Sequence, residues 1–184
     1  MGKRLTKIVT RTGDDGTTGL GDGTRVRKDA ARIQALGAID SLNSAIGRVL
    51  AHELPGAVRD CLDRIQHDLF DLGGELSLPG VSRVDESYLA RLEREIEAFN
   101  AQLAPLKEFI LPGGTLAAAD AHLARTSCRE AERAVVALGA GEAVSDAARR
   151  YLNRLSDLLF VIARVVNRAQ GRGDVLWQPG KNRG

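Results

Sequence analysis

Aromatic side chains are scarce in this 184-residue chain: four Phe, two Tyr and one Trp. An all-β sandwich or barrel draws on aromatic and β-branched residues, whereas 25 Ala, 24 Leu and 21 Arg dominate here, all strong helix formers. Cysteine is nearly absent. Cys61 and Cys128 lie far apart with no C-x-x-C, which excludes a disulfide scaffold and a Cys-rich zinc site and fits a cytoplasmic protein. Long apolar runs are missing too: the longest uncharged stretch, Phe109 to Ala119, is eleven residues and is broken by Pro112-Gly113-Gly114. That is too short for a membrane span or a secretory core. The opening Met1-Gly2-Lys3-Arg4-Leu5-Thr6 fits the permissive myristoylation pattern, but no second anchor accompanies it and no membrane association is expected.

What remains describes one globular domain, 1–184, in three parts: an N-terminal loop (1–25), a helical bundle (26–170) and a tail (171–184). The net charge of +2 hides basic ends, +4 over residues 1–28 and +3 over 168–184, around an acidic middle. Basic ends fit a phosphate-bearing partner or simple solvation, and no nucleic-acid motif accompanies them.

Proline and glycine divide the chain into five helical stretches. Val58, Leu62, Ile65, Leu69, Leu72 and Leu76 form one apolar stripe. Leu89, Leu92, Ile96, Phe99 and Leu103 form a second, and Leu152, Leu155, Leu159, Ile162 and Val166 a third. With short connections these predict an all-α, five-helix up-and-down bundle behind a glycine-rich loop. The first helix, about 26–52, has Ala35, Ile39, Leu42, Ile46 and Val49 on one side and Ile33 and Leu36 beside Asp40, Asn43 and Gly47 on the other. Its second face is expected to meet another subunit, where Asp40 needs a partner. In the fourth helix, 115–138, Arg125, Arg129 and Arg133 recur every four residues with Glu132 alongside, while Leu116, Leu123, Ala134 and Leu138 take the opposite face. Three guanidiniums in a row suit either a solvated face paired with Glu130 and Glu132 or a bound polyanion such as a triphosphate.

The start is rich in both glycine and threonine: Thr10-Arg11-Thr12-Gly13-Asp14-Asp15-Gly16-Thr17-Thr18-Gly19-Leu20-Gly21-Asp22-Gly23. Such a loop can turn backbone N–H groups around phosphate oxygens, with Lys28 as a nearby cation. It matches neither G-x-x-x-x-G-K-[ST] nor G-x-G-x-x-G, and an EF-hand reading fails because Arg25 stands where a bidentate Glu is required. Asp120-Ala121-His122-Leu123-Ala124-Arg125 begins like the cobalt-ligating D-x-H-x-x-G, but Arg replaces Gly within a predicted helix. His122 therefore reads as structural, and His52 and His67 receive no role.

Several blocks together resemble the ATP:cob(I)alamin adenosyltransferases of the propanediol-utilisation (PduO) type. They are Thr10-Arg11-Thr12-Gly13-Asp14-x-Gly16-x-Thr18, Arg25-Val26-x-Lys28, Gly37-x-x-Asp40-x-Leu42-Asn43-Ser44-x-Ile46-Gly47, Phe109-Ile110-Leu111-Pro112-Gly113-Gly114, Cys128-Arg129-Glu130-Ala131-Glu132-Arg133 and Tyr151-Leu152-Asn153-Arg154-Leu155-Ser156-Asp157-x-Leu159-Phe160. The similarity spans nearly the whole chain, with Ser41 departing from a frequent Glu. It implies a homotrimer in which cob(I)alamin attacks C5′ of ATP and displaces triphosphate. By that resemblance Thr10, Arg11, Thr12, Gly13, Thr18, Gly19 and Lys28 bind ATP from one subunit. Arg129, Glu132, Arg133 and Asn153 complete the site from its neighbour. Asp40 and Arg125 form an intersubunit ion pair, Mg²⁺ rides on the phosphates with its protein ligands unknown, and Phe109 packs under the corrin to displace the lower axial ligand. Phe109 and Arg129 are the implied catalytic residues, and a reductase and a recipient mutase the implied partners. A non-catalytic trimeric carrier of adenosylcobalamin is the alternative.

Overall fold

Five helices follow a short hairpin in the computed structural model, which describes residues 8–182. The Met1–Thr6 opening therefore lies outside the described residues. The hairpin pairs β1 (Thr17–Gly19) with β2 (Arg25–Arg27), Thr18 facing Val26. It corrects the purely helical expectation. Three-residue strands of Thr, Gly and Arg carry no apolar alternation for a sequence reading to detect. They are held instead by backbone pairing and by docking on the bundle, through buried Leu20 and a Gly21 N–H donating to the Ser77 carbonyl at 2.8 Å. A Cβ on Gly21 would fall 2.8 Å from Leu78 Cδ2, so this close approach requires glycine.

The helices are α1 (Ala31–Leu50), α2 (Gly56–Ser77), α3 (Glu86–Asn100), α4 (Leu116–Leu138) and α5 (Asp146–Ala169). Three begin at side-chain caps: Asp85 accepts from Ser87 N–H, Thr115 from Ala118 N–H and Ser145 from Ala148 N–H. The start of α1 is later than the expected 26 because residues 25–27 belong to β2. Contacts fix the directions. Arg48 of α1 reaches Asp120 near the start of α4, and Arg32 reaches Glu142 beyond its end, so α1 and α4 are antiparallel. Glu86 and Glu93 of α3 meet Arg150 and Arg154 of α5 in the same order, so those two are parallel. The up-and-down expectation holds, with α1, α3 and α5 running one way.

The predicted stripes of α2 and α5 are buried, as are Ala35, Ile39, Leu42, Ile46 and Val49 of α1. The fourth helix differs. Leu116 and Leu123 are exposed, and the core-facing side is Ala117, Ala121, Ala124, Cys128, Ala131 and Val135. Small side chains let α4 pack closely against both α1 and α5, which leaves Leu116 and Leu123 outside, while Leu138 is buried as expected.

Candidate active site

The N-terminal loop folds into an open cavity of about 390 Å³ lined by Ile8 to Asp14, Thr17 to Gly19, Arg25 and Lys28. Backbone turns shape it: Gly16 N–H donates to Gly13 O at 3.2 Å and Lys28 N–H to Gly16 O at 2.9 Å. Arg11 and Gly16 both adopt positive φ. Gly13 is tight, since a Cβ there would lie 3.0 Å from Thr17 O and 3.1 Å from Lys28 Nζ. Lys28 Nζ donates to Gly13 O at 2.8 Å and keeps two further N–H donors for an anion. Thr10, Arg11, Thr12, Gly13, Thr18, Gly19 and Lys28 are thus brought together. Arg25, to which the sequence reading gave no role of its own, props the loop open: its Nη2 donates to Thr12 O at 2.5 Å and its Nε to Thr17 Oγ1 at 3.1 Å. Asp15 accepts from the Thr17 hydroxyl at 2.7 Å and its N–H at 2.9 Å. These bonds hold its carboxyl below the usual range.

A second polar face lies on α4 and α5. Asn153 Nδ2 donates to Glu132 Oε1 at 3.1 Å, and Arg154 Nη1 donates to Asn153 Oδ1 at 3.1 Å, so this amide's orientation is fixed from both sides. Arg129 and Arg133 stand exposed on the same face without an ion pair among the described residues. Arg125 is half-buried, and its Nε has no hydrogen-bond partner among the described residues. Burial and the neighbouring Arg129 both push its pKa down, marking a guanidinium that lacks an anion. Asp40 is exposed on α1 and does not pair with Arg125 within the chain. Nor do Arg129, Glu132, Arg133 and Asn153 line the loop cavity.

The third component is Phe109, 76 % exposed on the loop before α4. It borders a cavity of about 540 Å³ with Leu106, Ile110, Pro112, His122, Arg125 and Phe160. Two devices hold this loop. Asn167 on α5 accepts from Thr115 N–H at 2.9 Å and donates to Gly113 O at 3.2 Å, so close that a Cβ on Gly114 would strike its amide. From the other side the tail pairs with it: Ile110 bridges Leu176, and Trp177 N–H donates to Phe109 O at 2.8 Å. Sequence reasoning missed both because the partners are more than fifty residues away and neither has a local signature.

No activated nucleophile emerges among the described residues. Both thiols are buried, and burial, aided by Glu95, pushes Cys61 up to about 12 and burial pushes Cys128 higher still. His122 lies inside α4, buried, with neither ring nitrogen bonded; burial and Arg125 lower its pKa and keep it neutral. His52, given no role in sequence, bonds Asp120 at 2.7 Å and tethers α1 to α4. Among the described residues no three His, Cys, Asp or Glu side chains gather as a metal site, and no helix is long and apolar enough to cross a membrane.

Residues 8–166 match the family described as cobalamin adenosyltransferase. A cobalamin adenosyltransferase of Cupriavidus metallidurans is 61 % identical over 179 residues, covering 97 % of each chain. A corrinoid adenosyltransferase of Bacillus subtilis is 47 % identical over 94 % of this chain and 92 % of its own. Among solved structures, a phenylalanine-to-alanine variant of the PduO-type ATP:corrinoid adenosyltransferase of Lactobacillus reuteri, complexed with cobalamin and ATP, superposes with a TM-score of 0.88 at 32 % identity. The match covers 94 % of this chain and 99 % of that one. An arginine-to-lysine variant of that enzyme complexed with ATP gives 0.85 at 34 % identity, covering 94 % and 100 %. On sequence and fold alike, the chain belongs to the PduO-type ATP:corrinoid adenosyltransferases.

Proposed function

We propose that the chain transfers the 5′-deoxyadenosyl group of ATP to cob(I)alamin at sites shared between subunits of a homotrimer. The cobalt electron pair attacks C5′, the C5′–O bond breaks, and triphosphate leaves with that bond's electrons, giving adenosylcobalamin. Co(I) is itself a strong nucleophile, which accords with two buried, protonated thiols and no activated side chain. The protein's task is then placement and charge.

The observation that carries the shared site is the separation of complementary halves within one chain. The loop cavity holds Lys28 and a ring of Thr and Gly, while Arg129 and Arg133 stand elsewhere without an anion. A triphosphate lying between two copies would satisfy both. In this reading Thr10 to Gly13, Thr18, Gly19 and Lys28 of one subunit cradle the phosphates. Arg129 and Arg133 of the next neutralise the leaving group, and Asn153, oriented by Glu132 and Arg154, bonds the nucleotide. Asp40 would supply the anion that Arg125 lacks. Mg²⁺ would enter on the triphosphate as part of the nucleotide substrate. Phe109 would face the corrin from the apolar pocket and exclude its lower axial ligand.

Anaerobic incubation with ATP and chemically reduced cobalamin tests the reading. Light-sensitive adenosylcobalamin and inorganic triphosphate should form in equal amounts, and Arg129→Ala should abolish most of both. A carrier would bind adenosylcobalamin and form none.

A further inference from the structure

We infer that Trp177 is a positioning residue for Phe109, and that residues 174–177 form a strap setting the angle at which that ring meets the corrin. The inference rests on the reading of Phe109 given above and extends it to a segment with no role so far.

The strap is anchored at its base. Asp174 accepts from Arg164 Nε at 2.9 Å, an ion pair whose guanidinium is almost wholly buried, and Arg164 Nη2 also donates to Ala104 O at 2.7 Å. Arg172 N–H donates to Asn167 O at 2.8 Å, folding the chain back at the end of α5. From this base the backbone runs antiparallel to the Phe109 loop. Leu111 N–H donates to Val175 O at 2.7 Å and Trp177 N–H to Phe109 O at 2.8 Å, on either side of the Ile110–Leu176 bridge. That register places residues 109 and 177 opposite each other, so their side chains share a face of the two-stranded ladder. The rings meet edge to face, 6.2 Å between centroids at 68°. Even beside the indole Phe109 is three-quarters exposed, and Trp177 is its one aromatic partner among the described residues. A phenyl ring on a loop, with so little packed against it, would sample several rotamers. A cross-strand indole removes that freedom before substrate arrives, as a group that must face a metal centre at a fixed angle requires.

The test is a double-mutant cycle read by more than turnover. Trp177→Ala should lower kcat by about 10- to 100-fold, leave KM for ATP unchanged, and reduce the share of bound cob(II)alamin that is four-coordinate by electron paramagnetic resonance. Trp177→Phe should restore most of both. Because Trp177 acts through Phe109, Trp177→Ala added to Phe109→Ala should cost nothing further. A Trp177→Ala enzyme with an unchanged four-coordinate fraction, or losses that multiply in the double variant, would overturn the inference. A readout independent of activity uses the chain's single tryptophan: Phe109→Ala in the ligand-free protein should shift and broaden its emission. Unchanged emission would mean the rings do not meet in solution, and that result would also overturn the inference. Absence of adenosylcobalamin from the wild-type chain, by contrast, would defeat the functional reading.

Discussion

Two polar regions of this molecule both rely on arginine and behave in opposite ways. Between α2, α3 and α5, Asp68 is buried and accepts both the Tyr151 hydroxyl at 2.7 Å and the Arg91 guanidinium. Arg91 also lies over the Tyr88 ring, and Tyr88 bonds Asp71 at 3.0 Å. Every charge there has found its partner inside the chain. On α4 and beside the Phe109 loop, among the described residues, Arg129 and Arg133 lack an ion pair, Arg125 Nε lacks an acceptor, and His122 has two unbonded nitrogens. Arg129 and Arg133 are exposed, but Arg125 Nε and the His122 nitrogens are buried, and an unpaired buried polar group costs about 1–3 kcal/mol. In the proposed reading this second group is left open for partners outside the chain, the nucleotide phosphates for Arg129 and Arg133 and Asp40 of a neighbouring subunit for Arg125. In that reading, partner satisfaction separates scaffold from site.

The largest expected effect falls on the scaffold. Asp68→Ala strands the Arg91 cation and the buried Tyr151 hydroxyl, and should lower unfolding free energy in urea by about 3–5 kcal/mol. Turnover per folded molecule should stay near wild type. Next comes the reverse case: Arg129→Ala should lower kcat by about 100-fold, or about 2.7 kcal/mol of transition-state stabilisation, with Tm unchanged. If Asp68→Ala selectively killed catalysis, or Arg129→Ala unfolded the protein, the contrast would collapse. Lys28→Ala sharpens it at the loop: KM for ATP should rise about tenfold, near 1.4 kcal/mol, without change in KM for the corrinoid.

The smallest effect concerns pH. The folded pKa of His122 lies below the usual value of about 6.5 because burial and Arg125 disfavour its cation. The unfolded chain then binds the extra proton first, so the His122 contribution to stability is complete above about pH 6.5 and declines as pH falls toward the folded value. His122→Gln should flatten that part of the stability profile, measured by urea midpoints from pH 7 to pH 5. A slope unchanged by the substitution would show that the ring is not held neutral.

The helices were legible because α2 and α5 repeat large apolar residues at helical spacing, a pattern with one structural solution. In α4 that logic misled. Its core contacts are alanines, whose low hydrophobicity is a weak signal, so Leu116 and Leu123 were assigned to a helix face the bundle leaves exposed. The hairpin was missed because Thr17–Gly19 and Arg25–Arg27 bury little and are joined through backbone. Residues of the loop cavity were recognisable from Gly and Thr density together with the family blocks. Asn167 as a clamp and the pairing of the tail with the Phe109 loop were not, since each acts through a partner distant in sequence. Contacts of that kind leave no period or spacing to read.

The central claim is that a working site takes one half from each of two subunits. In the proposed site Lys28→Glu would repel triphosphate from the loop and Arg129→Ala would remove the neutralising cation, so each variant alone should be nearly inactive. Refolded together in equal amounts, they should regain about one quarter of wild-type activity, because about one interface in four then joins an intact loop to an intact α4 face. A mixture no more active than its separate components would contradict the shared site and place all of the chemistry within a single chain.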